Sequence, residues 1–238
     1  MRAVICGANG AMGRLICEIL GDEVVGKVSI DGENGVAKTF DELGAVSADV
    51  LIDFSHHTAV GALMDFCTRK NLPVVVSTTG HTPEEKEIIA EASKKIPVFF
   101  SANMSIGVAL LAELAKKAAS VFPTANIEIV EKHHNQKLDV PSGTALLLAH
   151  RIQEALTDSV LLVGRHENGK RTAKEIGIHS LRLGNEVGTH EIIITTGAET
   201  ITLKHEAENR SLFANGALAA VKFLEGKPAG LYSMRDII

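Results

Sequence analysis

The sequence predicts a two-domain α/β protein, in which a doubly wound parallel sheet is followed by an α+β domain with an open mixed sheet. From 1 to 103, short β-rich runs alternate with helical patterns, the order required by a parallel sheet with helices on both faces. From about 126 onward, longer strand patterns follow one another with one strong helix among them, which suits a sheet with one covered face. A final helical pattern, 212–226, has no strand to extend and is expected to return to the first domain. The boundaries that follow are 1–103 with 214–238, and 104–213.

In the first domain the expected strands are "AVIC" (3–6), "VVGKVSI" (24–30), "VLIDFS" (50–55), "VVVST" (74–78) and "VFFSA" (98–102). Between them "AMGRLICEILG", "HTAVGALMDFCTRKN" and "TPEEKEIIAEASKKI" read as helices. A helix from Ser105 to about Val121 leads to strands at 126–134, 175–183, 190–197 and 199–207, the last two joined by a tight turn at Gly197-Ala198. The helix among them runs over about 142–156, and 164–174 is a long polar loop. The mixed sheet should have about four strands, and a second copy of the chain is the expected cover for its outer face.

Composition narrows the function classes. With 45% hydrophobic residues, 238 residues can bury one large core or two moderate ones. A net charge of -5, no Trp and one Tyr argue against nucleic-acid binding, which needs a basic surface with aromatic platforms. No apolar run approaches membrane-spanning length, and the N-terminus shows no signal-peptide pattern, so a cytoplasmic location is expected. Cys6, Cys17 and Cys67 lack metal-ligand or paired spacing and read as small buried hydrophobes; no metal site is expected.

"VICGANGAMGRLI" places Gly7, Gly10 and Gly13 between the first strand and the first helix. A tight turn here lets backbone N–H groups and a helix N-terminus meet a pyrophosphate, where side chains would block the approach. The reading is a Rossmann-like dinucleotide-binding domain. Asn9 stands in the middle of the G-x-x-G-x-x-G order and tolerates the left-handed region. Asp31, at the end of the second strand, offers a carboxylate to a ribose diol and would repel a 2'-phosphate. Lys27 is close enough in sequence to offset that repulsion, unless strand alternation turns it elsewhere. The competing reading makes Asp31 a turn residue before Gly32. "STTGHT" (77–82) and "SANMS" (101–105) follow strands four and five at the carboxyl edge, where open parallel sheets hold ligands. Each alone reads as a helix cap, but together they suit a nicotinamide ring.

The stretch "EIVEKHHNQKLDVPSGTALLLAHRI" (128–152) is dense in proton-active and anion-binding groups. On a strand, His133 and His134 point to opposite sides. Lys137 follows a short turn, and Pro141 precedes Ser142-Gly143-Thr144 at a helix start, whose N–H groups and hydroxyls form an anion pocket. Asp139 is placed to cap or orient this turn. The stretch reads as a receptor for a small molecule with carboxylate groups, beside a proton donor. Surface histidines and an ordinary cap are the plainer readings, and they leave Lys137 and the His pair unexplained.

Glu131, His133, His134, Lys137, Asp139, Pro141, Ser142, Gly143 and Thr144 resemble the signature E-x-H-H-x-x-K-x-D-A-P-S-G-T of the 4-hydroxy-tetrahydrodipicolinate reductase (dihydrodipicolinate reductase) family. "GANGAMG", "IDFS", "STTG", "FFSANMSIGV", "IGIHSLR", "VGTHE", "FANGA" and "GLYSMRDI" extend the resemblance over essentially the whole chain. Val140 stands where the family usually has Ala, adding bulk behind the turn, and His56-His57 stand where relatives often carry Pro or Arg. The resemblance implies hydride transfer from NADH or NADPH to C4 of a cyclic unsaturated dicarboxylate, with release of water, in lysine and diaminopimelate biosynthesis. It implies that His133 donates the proton with help from Lys137, and that His134, Lys137, Ser142, Gly143 and Thr144 hold the carboxylates. Gly7, Ala8, Asn9, Gly10, Ala11, Met12, Asp31, Ser77, Thr78, Thr79, Ser101, Ala102, Asn103 and Met104 would line the cofactor. The family is typically homotetrameric through the second-domain sheets. Two alternatives are an amino-acid or sugar dehydrogenase on the same plan, which has no need of a double anion site, and a non-catalytic NAD(H)-sensing module, which has no need of a proton donor.

Overall fold

The computed structural model describes residues 1–238, the side chain of Asn34 excepted. The chain divides into two compact units, Met1–Ser105 with Ser211–Ile238, and Ile106–Arg210.

In the first unit, β1 (Ala3–Cys6), β2 (Val24–Val28), β3 (Val50–Asp53), β4 (Val74–Val76) and β5 (Pro97–Phe100) alternate with α1 (Ala11–Leu20), α2 (Val60–Lys70) and α3 (Pro83–Ser93). All neighbouring strands are parallel. β1, β3 and β4 are buried at every position, which explains why their sequences are continuous apolar runs rather than alternating ones. The helices are closed by local chemistry. Thr82 and Glu85 form a capping box ahead of Pro83 at the start of α3, and Asn71 ends α2 in the left-handed region at φ 50. α2 begins later than expected, because His57–Ala59 form a single 3-10 turn in front of it.

The expected strands end early. Residues 29–30, 54–55, 77–78 and 101–102 lie beyond the last ladder positions and form the loops at the carboxyl edge of the sheet. Cys17 is only half-buried, unlike Cys6 and Cys67. The sheet also has a sixth strand, β11 (Gly230–Tyr232), which pairs with β5 after α6 (Ser211–Leu224) has packed on α1, β3, β4 and β5. Three residues opening on Gly give no alternation to detect, so a strand was not expected there.

The second unit is a mixed sheet in the order β10-β9-β6-β8-β7, five strands rather than about four. Its elements are α4 (Ile106–Val121), β6 (Asn126–His133), α5 (Gly143–Gln153), β7 (Val160–Val163), β8 (Glu175–Arg182), β9 (Gly188–Thr195) and β10 (Thr200–Ala207). β7 is a four-residue edge strand with no fully buried position, too short to show a period. β6 alternates without interruption, burying Ile127, Ile129, Glu131 and His133 on one face. That face packs with α4 and α5 around Ile176, Ile178, Ile192, Ile194 and Leu148. The functional side chains at the end of β6 are therefore continuous with the apolar core.

Candidate active site

In the first unit, the glycine turn is shaped by close contacts. Gly7 has φ +79, and a Cβ there would lie 2.4 Å from the Phe54 carbonyl oxygen. A Cβ on Gly13 would meet the Gly7 carbonyl oxygen at 2.1 Å. The N–H groups of Gly7 and Ala8 donate to the Val28 carbonyl at 2.8 and 3.1 Å, and that of Gly10 donates to Gly7 at 3.0 Å. These residues hold the turn. Ala11 and Met12 occupy the first two positions of α1, whose N–H groups have no acceptor within the helix, and Gly10 provides no side-chain cap. A turn too tight for a Cβ, opening onto an uncapped helix start, fits a pyrophosphate.

Asn9 and Asp31 meet across this turn, Asn9 Nδ2 donating to Asp31 Oδ1 at 2.6 Å. That bond is the main reason the Asp31 carboxyl is held below its ordinary range. Lys27, on β2, lies near enough to Cys17 of α1 for its charge to act on that thiol. A cavity of about 640 Å³ opens beside the turn, lined by Gly7, Gly10, Ser29, Ile30, Lys38, Phe54 and His56 among others. His56 caps the 3-10 turn before α2, and His57 pairs with Glu85 at 2.8 Å, tying that turn to the start of α3.

At the remaining two loops, Ser77 and Thr78 are buried and Thr79 is exposed. The Ser77 hydroxyl is enclosed with no hydrogen-bond partner among the described residues, a donor and acceptor awaiting a polar ligand. Ser101 Oγ donates to the Asn103 carbonyl at 2.7 Å, and Asn103 Oδ1 accepts from the Ser105 N–H at 2.8 Å, so both side chains organise the loop into α4. Ala102 is exposed, whereas Met104 is 2% exposed and packs in the core.

In the second unit, the centre is Glu131, which is completely buried. Its Oε2 lies 2.5 Å from His133 Nδ1, and both its oxygens accept from Arg182 at 3.0 Å. The Ser142 N–H adds a 3.2 Å bond to Oε1. Burial pushes the Glu131 carboxyl up, but the bonds from His133 and Arg182 outweigh it and hold the group down at about 2. An ionised Glu131 fixes His133 with its proton on Nδ1. His133 Nε2 lies against Gly188, where a Cβ would come within 3.0 Å.

His190 crosses His133 edge-on, with ring centroids 5.2 Å apart. Its Nε2 is 3.0 Å from Ser142 Oγ. Burial drives His190 down to about 3, against the pull of the Glu131 carboxylate, so it is neutral across the physiological range. Lys137 Nζ pairs with Asp139 Oδ1 at 2.8 Å. Burial of Asp139 works against its charged form, but Lys137 and the Gly143 N–H hold its carboxyl below the ordinary range. Lys137 thus already holds a carboxylate just ahead of α5.

Of the expected residues here, the structure gathers His133, Lys137, Ser142 and Gly143. Ser142 departs from its expected part in the anion pocket: its N–H goes to Glu131 and its hydroxyl accepts from the Ala145 N–H at 3.1 Å. Asp139 does not cap α5, since Ser142 does. His134 is half-buried just past the end of β6, and Thr144 is half-buried on α5. Val140 is 61% exposed, so its extra bulk meets solvent rather than the back of the turn. Glu131, Arg182 and His190 had no assigned role. Arg182 stands opposite His133 in the β6–β8 register, and His190 opposite Glu131 in β6–β9.

Residues 1–104 match the family described as dihydrodipicolinate reductase, N-terminus, and residues 107–238 its C-terminus. A 4-hydroxy-tetrahydrodipicolinate reductase of Clostridium tetani is 43% identical over 98% of this chain and 95% of its own. A dipicolinate-bound dihydrodipicolinate reductase from Paenisporosarcina sp. TG-14 superposes with TM-score 0.81 at 26% identity, covering 100% of this chain and 99% of that one. An aspartate dehydrogenase from Thermotoga maritima shares the fold alone, with TM-score 0.54 at 14% identity over 96% of this chain and 98% of that one. Sequence and fold agree: the chain belongs to the dihydrodipicolinate reductase family of NAD(P)H-dependent oxidoreductases.

Proposed function

We propose that this chain reduces 4-hydroxy-tetrahydrodipicolinate, with His133 as proton donor and Lys137 with the start of α5 as the carboxylate clamp. The observation that carries this reading is the Asp139 carboxylate, held by Lys137 Nζ at 2.8 Å just ahead of α5. A cradle that binds this chain's own carboxylate has the charge and donors to bind one from a substrate. A bound NADH or NADPH supplies the hydride for ring C4. Glu131 holds the Nδ1–H of His133, so that the proton given to the substrate is a second one taken up at Nε2 and replaced from solvent; Arg182 neutralises Glu131, and His190 stays neutral beside them. His134 and Thr144 flank the clamp and complete the hold on the second carboxylate. In the first unit, Ala11 and Met12 offer their N–H groups to the pyrophosphate, Asp31 the ribose, and the Ser77 hydroxyl the nicotinamide side.

The test is oxidation of NADH and NADPH in the presence of the cyclic product of pyruvate and aspartate semialdehyde. Oxidation should require that product. His133→Gln should lower kcat by roughly 10²-fold, and Lys137→Ala should weaken substrate binding and turnover with cofactor affinity unchanged. A His133 variant with the parent rate would move the proton to another donor. We further infer a homotetramer built through the outer face of the second sheet. Val130, Leu181 and Ile193 there stand among Glu128, Lys132, Glu191 and Lys204, a mixture suited to pairing with a copy of itself. A monomer at micromolar concentration in sedimentation would refute it.

A further inference from the structure

We propose that Lys38, and not Lys27, is the cation that admits a 2'-phosphate, so that Lys38 sets how well this chain uses NADPH beside NADH. The proposal rests on the dinucleotide site described above and is independent of which dicarboxylate is reduced.

Backbone geometry delivers Lys38 to this place. After β2 the chain turns through Asp31 and Gly32 and comes back, so that Ala37 forms a parallel bridge with Val28. Ser29 N–H donates to the Ala37 carbonyl at 2.9 Å, and Ala37 N–H donates to the Lys27 carbonyl at 3.0 Å. Lys38 is thereby fixed just past the carboxyl end of β2, alongside Ser29 and Ile30. Its stem lies across Gly32: a Cβ on that glycine, at φ +61, would come within 2.4 Å of Lys38 Cγ and 2.5 Å of Cε. The side chain thus runs over the turn that carries Asp31, and Ser29, Ile30, Lys38 and Thr39 line the same cavity as Gly7 and Gly10.

Asp31 and Lys38 divide the recognition. The Asp31 carboxylate is anchored on Asn9 at 2.6 Å, next to the glycine turn, where it suits a ribose diol. A 2'-phosphate would meet that carboxylate unfavourably unless a cation offset it, and Lys38, whose stem lies over the adjacent Gly32 and which lines the cavity with Ser29 and Thr39, can supply that charge. Ile30, 93% exposed at the rim of the same cavity, presents apolar surface of the kind an adenine base covers.

Lys38→Met separates this role from simple cover, because it keeps the methylene stem over Gly32 and removes the charge. Equilibrium dissociation constants for NADH and NADPH are measured on the purified chain by calorimetry, without substrate. For Lys38→Met, NADPH should bind about tenfold more weakly, with NADH within about twofold of the parent, and Lys38→Arg should restore NADPH. Asp31→Asn should shift preference the other way, toward NADPH. Equal weakening of both nucleotides, or NADPH binding unchanged, overturns the proposal. Because binding is read without turnover, failure to reduce the dicarboxylate would leave this result standing, and loss of 2'-phosphate discrimination would leave the reductase reading standing.

Discussion

Glu131→Gln changes one atom and should disable the second unit's cluster. The carboxylate accepts four bonds: from His133 and Arg182 on Oε2, and from Arg182 and Ser142 on Oε1. An amide of the same shape accepts on one oxygen only and turns a donor toward the other pair. If the oxygen stays at the Oε1 position, the NH2 faces Arg182 Nη1 and His133 Nδ1. His133 then relieves the clash by moving its proton to Nε2, the tautomer opposite to the one Glu131 enforces. Removing the charge from a buried pair costs about 3–5 kcal/mol. Arg182 keeps its 2.6 Å bond to the Asp139 carbonyl and is 19% exposed, which puts this case near the lower end, about 3 kcal/mol. The midpoint of thermal unfolding should fall by about 10 °C, read by circular dichroism because the chain has no Trp. At a temperature where the variant is folded, kcat should fall by about 10²-fold or more, and the His133 ring nitrogens should show the exchanged tautomer by 15N NMR. Parent kcat with parent midpoint would refute the reasoning, and a lowered midpoint with parent kcat would refute its tautomer half.

Two further outcomes follow from the same cluster. Gly188→Ala places a Cβ 3.0 Å from His133 Nε2 and 3.3 Å from Cδ2; it should push the imidazole aside and lower kcat about tenfold while leaving NADH affinity unchanged, and a parent-like kcat would mean the ring is not confined there. In acid, His190 is depressed from 6.5 to about 3 in the folded state, so the unfolded chain binds the extra proton. The stability His190 contributes is complete above 6.5 and drains as pH falls through 3. Glu131, depressed from 4.5 to about 2, adds a second loss that begins below 4.5. Urea midpoints should therefore decline from just under pH 7 and steepen below 4.5, and His190→Gln should remove the upper limb; a flat profile between pH 7 and 5 would contradict this assignment.

The sequence by itself determined the features that act within a few residues of one another. Continuous apolar runs marked the buried parallel strands, the helical pattern of "TPEEKEIIAEASKKI" marked α3, and the glycine spacing marked a turn in which Gly7 and Gly13 leave no room for a Cβ. The family signature named His133, Lys137 and Ser142 because they lie on one short stretch. The short strands β7 and β11 were silent, since three or four residues carry no period. What only the tertiary structure decided were the pairings that depend on strand register. Arg182 reaches Glu131 across 51 positions, and His190 reaches Ser142 across 48. Lys38 comes to lie over Gly32, next to Asp31 in the chain, because the segment that carries it bridges Val28. Periodicity and turn chemistry fix which way a side chain faces on its own element. Which partner it meets there is set by packing between elements far apart in the chain: Glu131 faces His133 by the period of its own strand, but its ion pair with Arg182 depends on that packing.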